Sequence, residues 1–155
     1  MGTETLDLSR PVMDVLAVYP GSPRPLVEPL ASLERDGFIE HRLVLTTHTG
    51  THVDAPAHLL PDGPGLPLVL KDRWVGRAIT LDLRGHVGPI GPEDLERVFP
   101  GGTWDYILLA TGWKGPDGLG GWSGEMPGLG KEGAEFLLPF CHWGLGVDTL
   151  SLDAG

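Results

Sequence analysis

Between Thr46 and His58 the chain reads T-T-H-T-G-T-H-V-D-A-P-A-H, and three of its six histidines fall within this stretch. Imidazole nitrogen and carboxylate oxygen together are donors that suit Zn²⁺, Mn²⁺ or Fe²⁺. His48, His52, Asp54 and His58 are all even-numbered. In an extended backbone side chains alternate faces, so all four would project to one side. A helix would also align His48 with His52 at i and i+4, but the threonines, Gly50 and Pro56 are poor helix material. Gly50 leaves room for something to approach the backbone. His48, His52 and Asp54 therefore make a facial set of two nitrogens and one oxygen. His58 lies four residues beyond the carboxylate, where it is placed to carry a proton.

A metal held by three protein ligands keeps positions free for water, whose pKa falls toward ~7. The resulting hydroxide suits attack on an amide or lactone carbonyl. Collapse of the tetrahedral intermediate then needs a proton for the leaving nitrogen or oxygen. His58, with an ordinary pKa near ~6.5, is the general acid/base at hand. His41, His86 and His142 stand alone among strand or turn residues and read as structural.

The segments that must position this motif follow from periodicity and punctuation. Leu6 to Ser9 reads as a short opening strand, followed by a Pro-rich loop through Pro25. Ile39 to Thr47 alternates, with Ile39, His41, Leu43 and Leu45 on one face, and delivers the chain into the motif. Ala78 to Leu83 and Tyr106 to Ala110 read as strands. Pro92 to Phe99 reads as a helix, with Pro92, Glu93 and Asp94 in its first turn and Pro100 as its stop. Gly115 to Gly130 reads as a long loop of lid type. Lys131 to Leu138 reads as a helix and Leu145 to Leu152 as a last strand. Strands outnumber helices in irregular alternation, which gives a mixed α and β (α/β) fold.

Composition bounds the function. The chain has 155 residues, enough for one domain with a core, and the whole of 1–155 reads as a single domain. Its net charge of −10 argues against nucleic acid or an anionic membrane as partner. Apolar runs such as Leu66 to Leu70 are too short to span a bilayer, and no secretory signal is visible. Cys141 is the one cysteine, which agrees with a reducing compartment, and the expected location is the cytoplasm. The 24 glycines and 15 prolines punctuate apolar segments and so indicate many turns in a folded domain.

The stretch H-T-G-T-H-V-D-A-P-A-H, His48 to His58, resembles the H-x-G-T-H-x-D-x-P-x-H motif of the putative cyclase family, which includes bacterial kynurenine formamidases and isatin hydrolases. Similar segments stand elsewhere in the expected order: L-D-L-S-R-P at Leu6 and V-Y-P-G at Val18 before the motif, and A-T-G-W at Ala110, M-P-G-L at Met126 and G-V-D-T-L-S-L-D at Gly146 after it. The resemblance runs essentially end to end. It implies the swivelling β/β/α domain and an arylformamidase-like hydrolase acting on small formamides or cyclic amides, with a place in tryptophan catabolism. It also implies metal ligands at His48, His52 and Asp54, a proton carrier at His58, zinc or manganese as cofactor and a small-molecule substrate; a homo-oligomer is expected because the chain given ends just past Leu145 to Leu152, a strand of buried type whose edge another chain would cover. Tyr19 stands where kynurenine formamidases carry a substrate-contacting Trp. In the family a further His and a Glu follow the segment at Gly146 and complete a binuclear site. The chain given ends at Gly155, so the expectation is one metal and a domain incomplete at its C-terminus. The competing readings are a non-catalytic metal-binding or oligomerising remnant, and a carbohydrate-binding role for Trp104, Trp113, Trp122 and Trp143. Metal content with turnover separates the hydrolase from both.

Overall fold

A computed structural model of the chain describes residues 4–115 and 126–153. The described residues fall into two compact units, one reaching Leu66 and the other starting at Pro67.

The N-terminal unit is built on an antiparallel pair, β1 (Leu26–Ala31) and β2 (Glu40–Val44). Between them a single helical turn, α1 (Leu33–Asp36), is capped by the Ser32 hydroxyl, which accepts from the Arg35 amide at 3.4 Å, and is closed by left-handed Gly37. Glu28 and Arg42 face each other in the register and form an ion pair. Two sequence expectations change here, and one strand is new. Leu6 to Ser9 forms no strand, and Leu6 and Leu8 are exposed. β1 was hidden in the sequence because Glu28 and Pro29 break its apolar pattern, and the pairing itself is irregular between Pro29 and Ala31. β2 spans only five residues of the expected nine and all five are exposed, so its alternation does not mark a buried face within this unit.

The C-terminal unit holds a three-stranded parallel sheet in the order β3 (Ala78–Asp82), β5 (Trp104–Ala110), β7 (Cys141–Val147). A second, short parallel pair joins β4 (Pro89–Ile90) to β6 (Gly128–Leu129). Helix α2 (Pro92–Val98) follows β4, and helix α3 (Lys131–Leu137) follows β6. Period-two alternation sorts β5: Ile107 and Leu109 are buried while Trp104, Tyr106 and Leu108 are only partly so. The buried side joins Leu81, Leu83, Ile90, Leu95, Leu129 and Leu137 in one apolar core.

The fold is mixed α and β, as the sequence indicates, and α2, α3, β3 and β5 lie where expected. The last strand does not. It begins at Cys141 rather than Leu145 and ends before Asp148. Gly144 lies ahead of the expected start yet is a strand residue, and both it and Gly146 make room for β5. A Cβ on Gly146 would lie 2.6 Å from Leu108 Cδ2, and one on Gly144 would lie 3.2 Å from Tyr106 Cε1. The expected lid from Gly115 to Gly130 falls mostly on 116–125, outside the described residues, as does Trp122. Among the described residues no helix is long and apolar enough to cross a membrane.

Candidate metal centre

The motif lies wholly within the N-terminal unit, on the chain that leaves β2. It is not an extended strand. Residues 47–51 form a turn, 52–55 are irregular, and Pro56–His58 form one turn of 3-10 helix. Threonine chemistry holds the turn together. The buried Thr49 hydroxyl accepts from the Thr46 amide at 3.1 Å and meets the Thr46 hydroxyl at 3.0 Å. The Thr51 hydroxyl accepts from the Arg10 amide at 3.0 Å, tying the turn to the N-terminal segment. Gly50 sits at φ 68°, in the left-handed region that side chains disfavour. Pro56 starts the 3-10 turn with its φ preset. The His58 amide donates to the Ala55 carbonyl at 2.9 Å, and Leu60 to Pro56 at 2.9 Å.

This turn brings the four side chains together. His48 Nδ1 lies 2.8 Å from Asp54 Oδ1 and 3.1 Å from His52 Nε2, and His52 Nε2 lies 3.4 Å from the same carboxylate oxygen. The rings of His48 and His58 are 4.2 Å apart between centroids, and ligand atoms of His48, Asp54 and His58 lie within 4.8 Å of one another. The cluster is open to solvent: the side chains of His52, His48 and Asp54 are 26%, 39% and 46% exposed. Tyr19 is exposed, in a turn where its carbonyl accepts from the Ser22 amide at 2.9 Å.

Proton accounting shows what the cluster lacks. His52 Nδ1 is 2.9 Å from the Gly50 carbonyl, which can only accept, so Nδ1 carries the proton and Nε2 presents a lone pair. Asp54 Oδ1 likewise presents lone pairs. With both imidazoles neutral, one proton, on His48 Nδ1, serves both, and the His52–Asp54 approach brings two acceptors together. A divalent cation would satisfy all three atoms. Three ligands about 2.0–2.1 Å from one ion lie about 2.9 Å apart at octahedral angles and about 3.4 Å apart at tetrahedral ones. The observed 2.8, 3.1 and 3.4 Å edges match that range. The residues present fit a metal.

The profile of the putative cyclase family matches residues 6–154, nearly the whole chain. This chain belongs to the putative cyclase family. Solved structures with the same fold include one described as a potential metal-dependent hydrolase with cyclase activity, at 23% identity and TM-score 0.75, covering 96% of this chain and 69% of that one. Isatin hydrolase A from Labrenzia aggregata, bound to benzyl benzoate, matches at 22% identity and TM-score 0.72, covering 97% of this chain and 69% of that one. A predicted metal-dependent hydrolase from Bacillus stearothermophilus matches at 22% and 0.73, with 96% and 70% covered.

In this cyclase-family chain a second cluster stands in the C-terminal unit, at the carboxyl ends of the parallel strands, where ligands of open α/β sheets commonly bind. Asp148, just past β7, accepts from the Thr111 amide at 3.0 Å, the Thr111 hydroxyl at 2.6 Å and the Gly112 amide at 2.8 Å. Beside them Arg84 holds Asp82, at the end of β3, through a side-chain hydrogen bond of 2.8 Å. That bond, with the Arg84 amide and its charge, lowers the Asp82 carboxyl to about 2. Residue spacing did not reveal this network, because Thr111 and Asp148 are 37 positions apart. The signal available was that both lie inside segments resembling the family, A-T-G-W and G-V-D-T-L-S-L-D.

Proposed function

We propose that the chain is a metal-dependent hydrolase of a small formamide, lactam or lactone. The observation that carries this is the convergence of His48 Nδ1, His52 Nε2 and Asp54 Oδ1 within 3.4 Å of one another. Those three residues hold the metal, zinc or manganese, and the names of the neighbouring solved structures support its being a hydrolytic one. When bound, such an ion acidifies a coordinated water and polarises a carbonyl oxygen. His58, whose ring packs on His48, delivers a proton to the leaving nitrogen or oxygen and takes one back at the end of the cycle. Before the metal binds, the Asp54 carboxylate accepts from His48 Nδ1 at 2.8 Å and orients that ring. The open face of the cluster admits a small substrate, and Tyr19 is the candidate for contact with an aromatic one. Isatin and N-formylkynurenine are the first compounds to test, since two of the neighbouring structures are isatin hydrolases.

The test is zinc content and turnover of the purified chain. His52→Ala is expected to abolish stoichiometric metal, and turnover is expected to disappear with complete chelation. Hydrolysis that persists without metal rules the proposal out. A second reading makes His58 a fourth ligand, favoured by its ligand atom lying within 4.8 Å of those of His48 and Asp54. His58→Ala separates the two. A proton carrier leaves the metal bound and lowers kcat by about 10²–10⁴-fold, whereas a ligand loses metal and activity together.

We further propose that copies of the chain associate. Leu33, Phe38, Ile39 and Leu43, within and beside the β1–β2 pair, are each more than half exposed. A two-stranded pair is marginal by itself in water. Light scattering on the purified chain is expected to give a multiple of 16.6 kDa; a monomer at micromolar concentration contradicts this.

A further inference from the structure

We propose that Gly50 is a positioning residue for the metal, acting through His52. This rests on the reading of His48, His52 and Asp54 as ligands. An imidazole has two nitrogens, and the one that meets an ion is decided by where the other sends its proton. In this motif the acceptor is the Gly50 carbonyl, two residues back along the chain and 2.9 Å from His52 Nδ1. A carbonyl never donates, so the contact selects the tautomer with Nδ1 protonated. That leaves Nε2 with its lone pair 3.1 Å from His48 Nδ1 and 3.4 Å from Asp54 Oδ1, inside the cluster. The neutral ring with the opposite tautomer would turn an N–H into the cluster and a lone pair onto the carbonyl.

The carbonyl reaches that position because Gly50 adopts φ 68°. The reason for glycine here is its backbone and not its lack of volume. A Cβ would meet Leu16 Cδ2 at 3.4 Å and Val12 Cγ2 at 3.6 Å, which is ordinary contact. Residues that tolerate the left-handed region should therefore keep the carbonyl in place, and those that do not should lose it. Asn enters that region readily and Ala does not.

Two measurements test this on the 155-residue chain. The first is the ¹⁵N spectrum of the imidazole rings in the metal-free protein, where His52 is expected to show a protonated Nδ1 and a bare Nε2. A His52 protonated at Nε2 overturns the proposal, and this result does not depend on any metal binding. The second is a Co²⁺ titration followed by its visible absorption, with Zn²⁺ as competitor. Gly50→Ala is expected to weaken binding by about 10–100-fold, the usual effect of losing a partner behind a ligating histidine. Gly50→Asn is expected to recover most of that loss, with the Nδ1-protonated form restored. Equal binding by Gly50→Ala and the unaltered chain, or Asn behaving no better than Ala in folded protein, overturns the proposal. If the unaltered chain takes up no Co²⁺ or Zn²⁺ at all, the ligand reading fails, and the ¹⁵N spectrum still decides the role of Gly50 in orienting His52.

Discussion

The two units of this chain are ordered by different forces. From Pro67 onward eight apolar side chains form a continuous buried core, and Leu81, Ile90, Leu95, Ile107, Leu109 and Leu137 are almost wholly out of water. Up to Leu66, the described residues that are buried are Pro25, Ala31 and Thr49. The unit that carries the candidate metal ligands is thus held by turn chemistry, capping and a cross-strand ion pair, while the other is held by burial. Apolar burial is worth roughly 25 cal/mol per Å², against about 0.5–1.5 kcal/mol net for one hydrogen bond. The first unit should therefore be the locally softer one, and an ion gathering His48, His52 and Asp54 should contribute to its folding as well as to chemistry.

The contrast can be broken most sharply by cutting into each unit. Ile107→Ala removes a fully buried side chain from the centre of the parallel sheet and is expected to lower unfolding free energy by about 2–5 kcal/mol. Val53→Ala, at a half-exposed position inside the motif, should stay within about 0.5 kcal/mol. Denaturant titration of both variants decides; equal losses would show that the motif unit has a core after all.

Saturating metal should act next most strongly, and on one unit only. At a hundredfold excess over Kd a ligand stabilises the form that binds it by about 2.7 kcal/mol. Amide exchange at 46–60 is expected to slow on adding Zn²⁺, while exchange in β5 is already slow without it. Uniform slowing throughout the chain would sink the idea that the softness is local.

A smaller effect is expected at the carboxyl edge of the sheet. Asp148→Ala leaves the Thr111 hydroxyl and the two amides without their acceptor, and should cost about 1–3 kcal/mol. Asp148→Asn, which keeps one acceptor oxygen, should recover part of it. Thermal unfolding of the two variants makes the comparison, and no difference from the native chain would mean that water replaces Asp148 freely.

The smallest effect is electrostatic. Asp82 titrates at about 2 in the fold instead of 3.8, mainly through Arg84. Because its folded value is depressed, the stabilisation is present above the ordinary carboxylate pKa and is lost as pH falls from about 4 through about 2. The pair is exposed, so its weight in overall stability is slight. Arg84→Ala should return the Asp82 carboxyl, followed by its ¹³C shift, toward 3.8. An unchanged titration would assign the shift to the backbone.

The candidate metal motif was legible in the sequence because its residue types and spacing are rare together. Shared parity in an extended strand is not what gathers His48, His52, Asp54 and His58. The Thr46–Thr49 turn, left-handed Gly50 and the 3-10 turn at Pro56 do so, and those are local features whose outcome depends on which hydrogen bonds the chain completes. Helices α2 and α3 could be read from their punctuation, since Pro92 and Pro100 act within a few residues of where they stand. β1 could not, because Glu28 and Pro29 interrupt its pattern and only pairing with β2 makes it a strand.

By itself, then, the sequence determined the candidate donor residues, the family-like motif order and the locally punctuated elements. These are properties of residues a few positions apart. Tertiary structure alone decided that the last strand starts at Cys141 and takes in Gly144, because the side chain that this glycine accommodates comes from Tyr106. It also decided that Asp148 closes the end of β5 across 37 residues, and that the motif lies in the unit with almost no buried apolar side chain. Contacts between distant positions leave no periodic trace in a chain. They exist only once parallel strands have been laid side by side and each backbone group has found its partner.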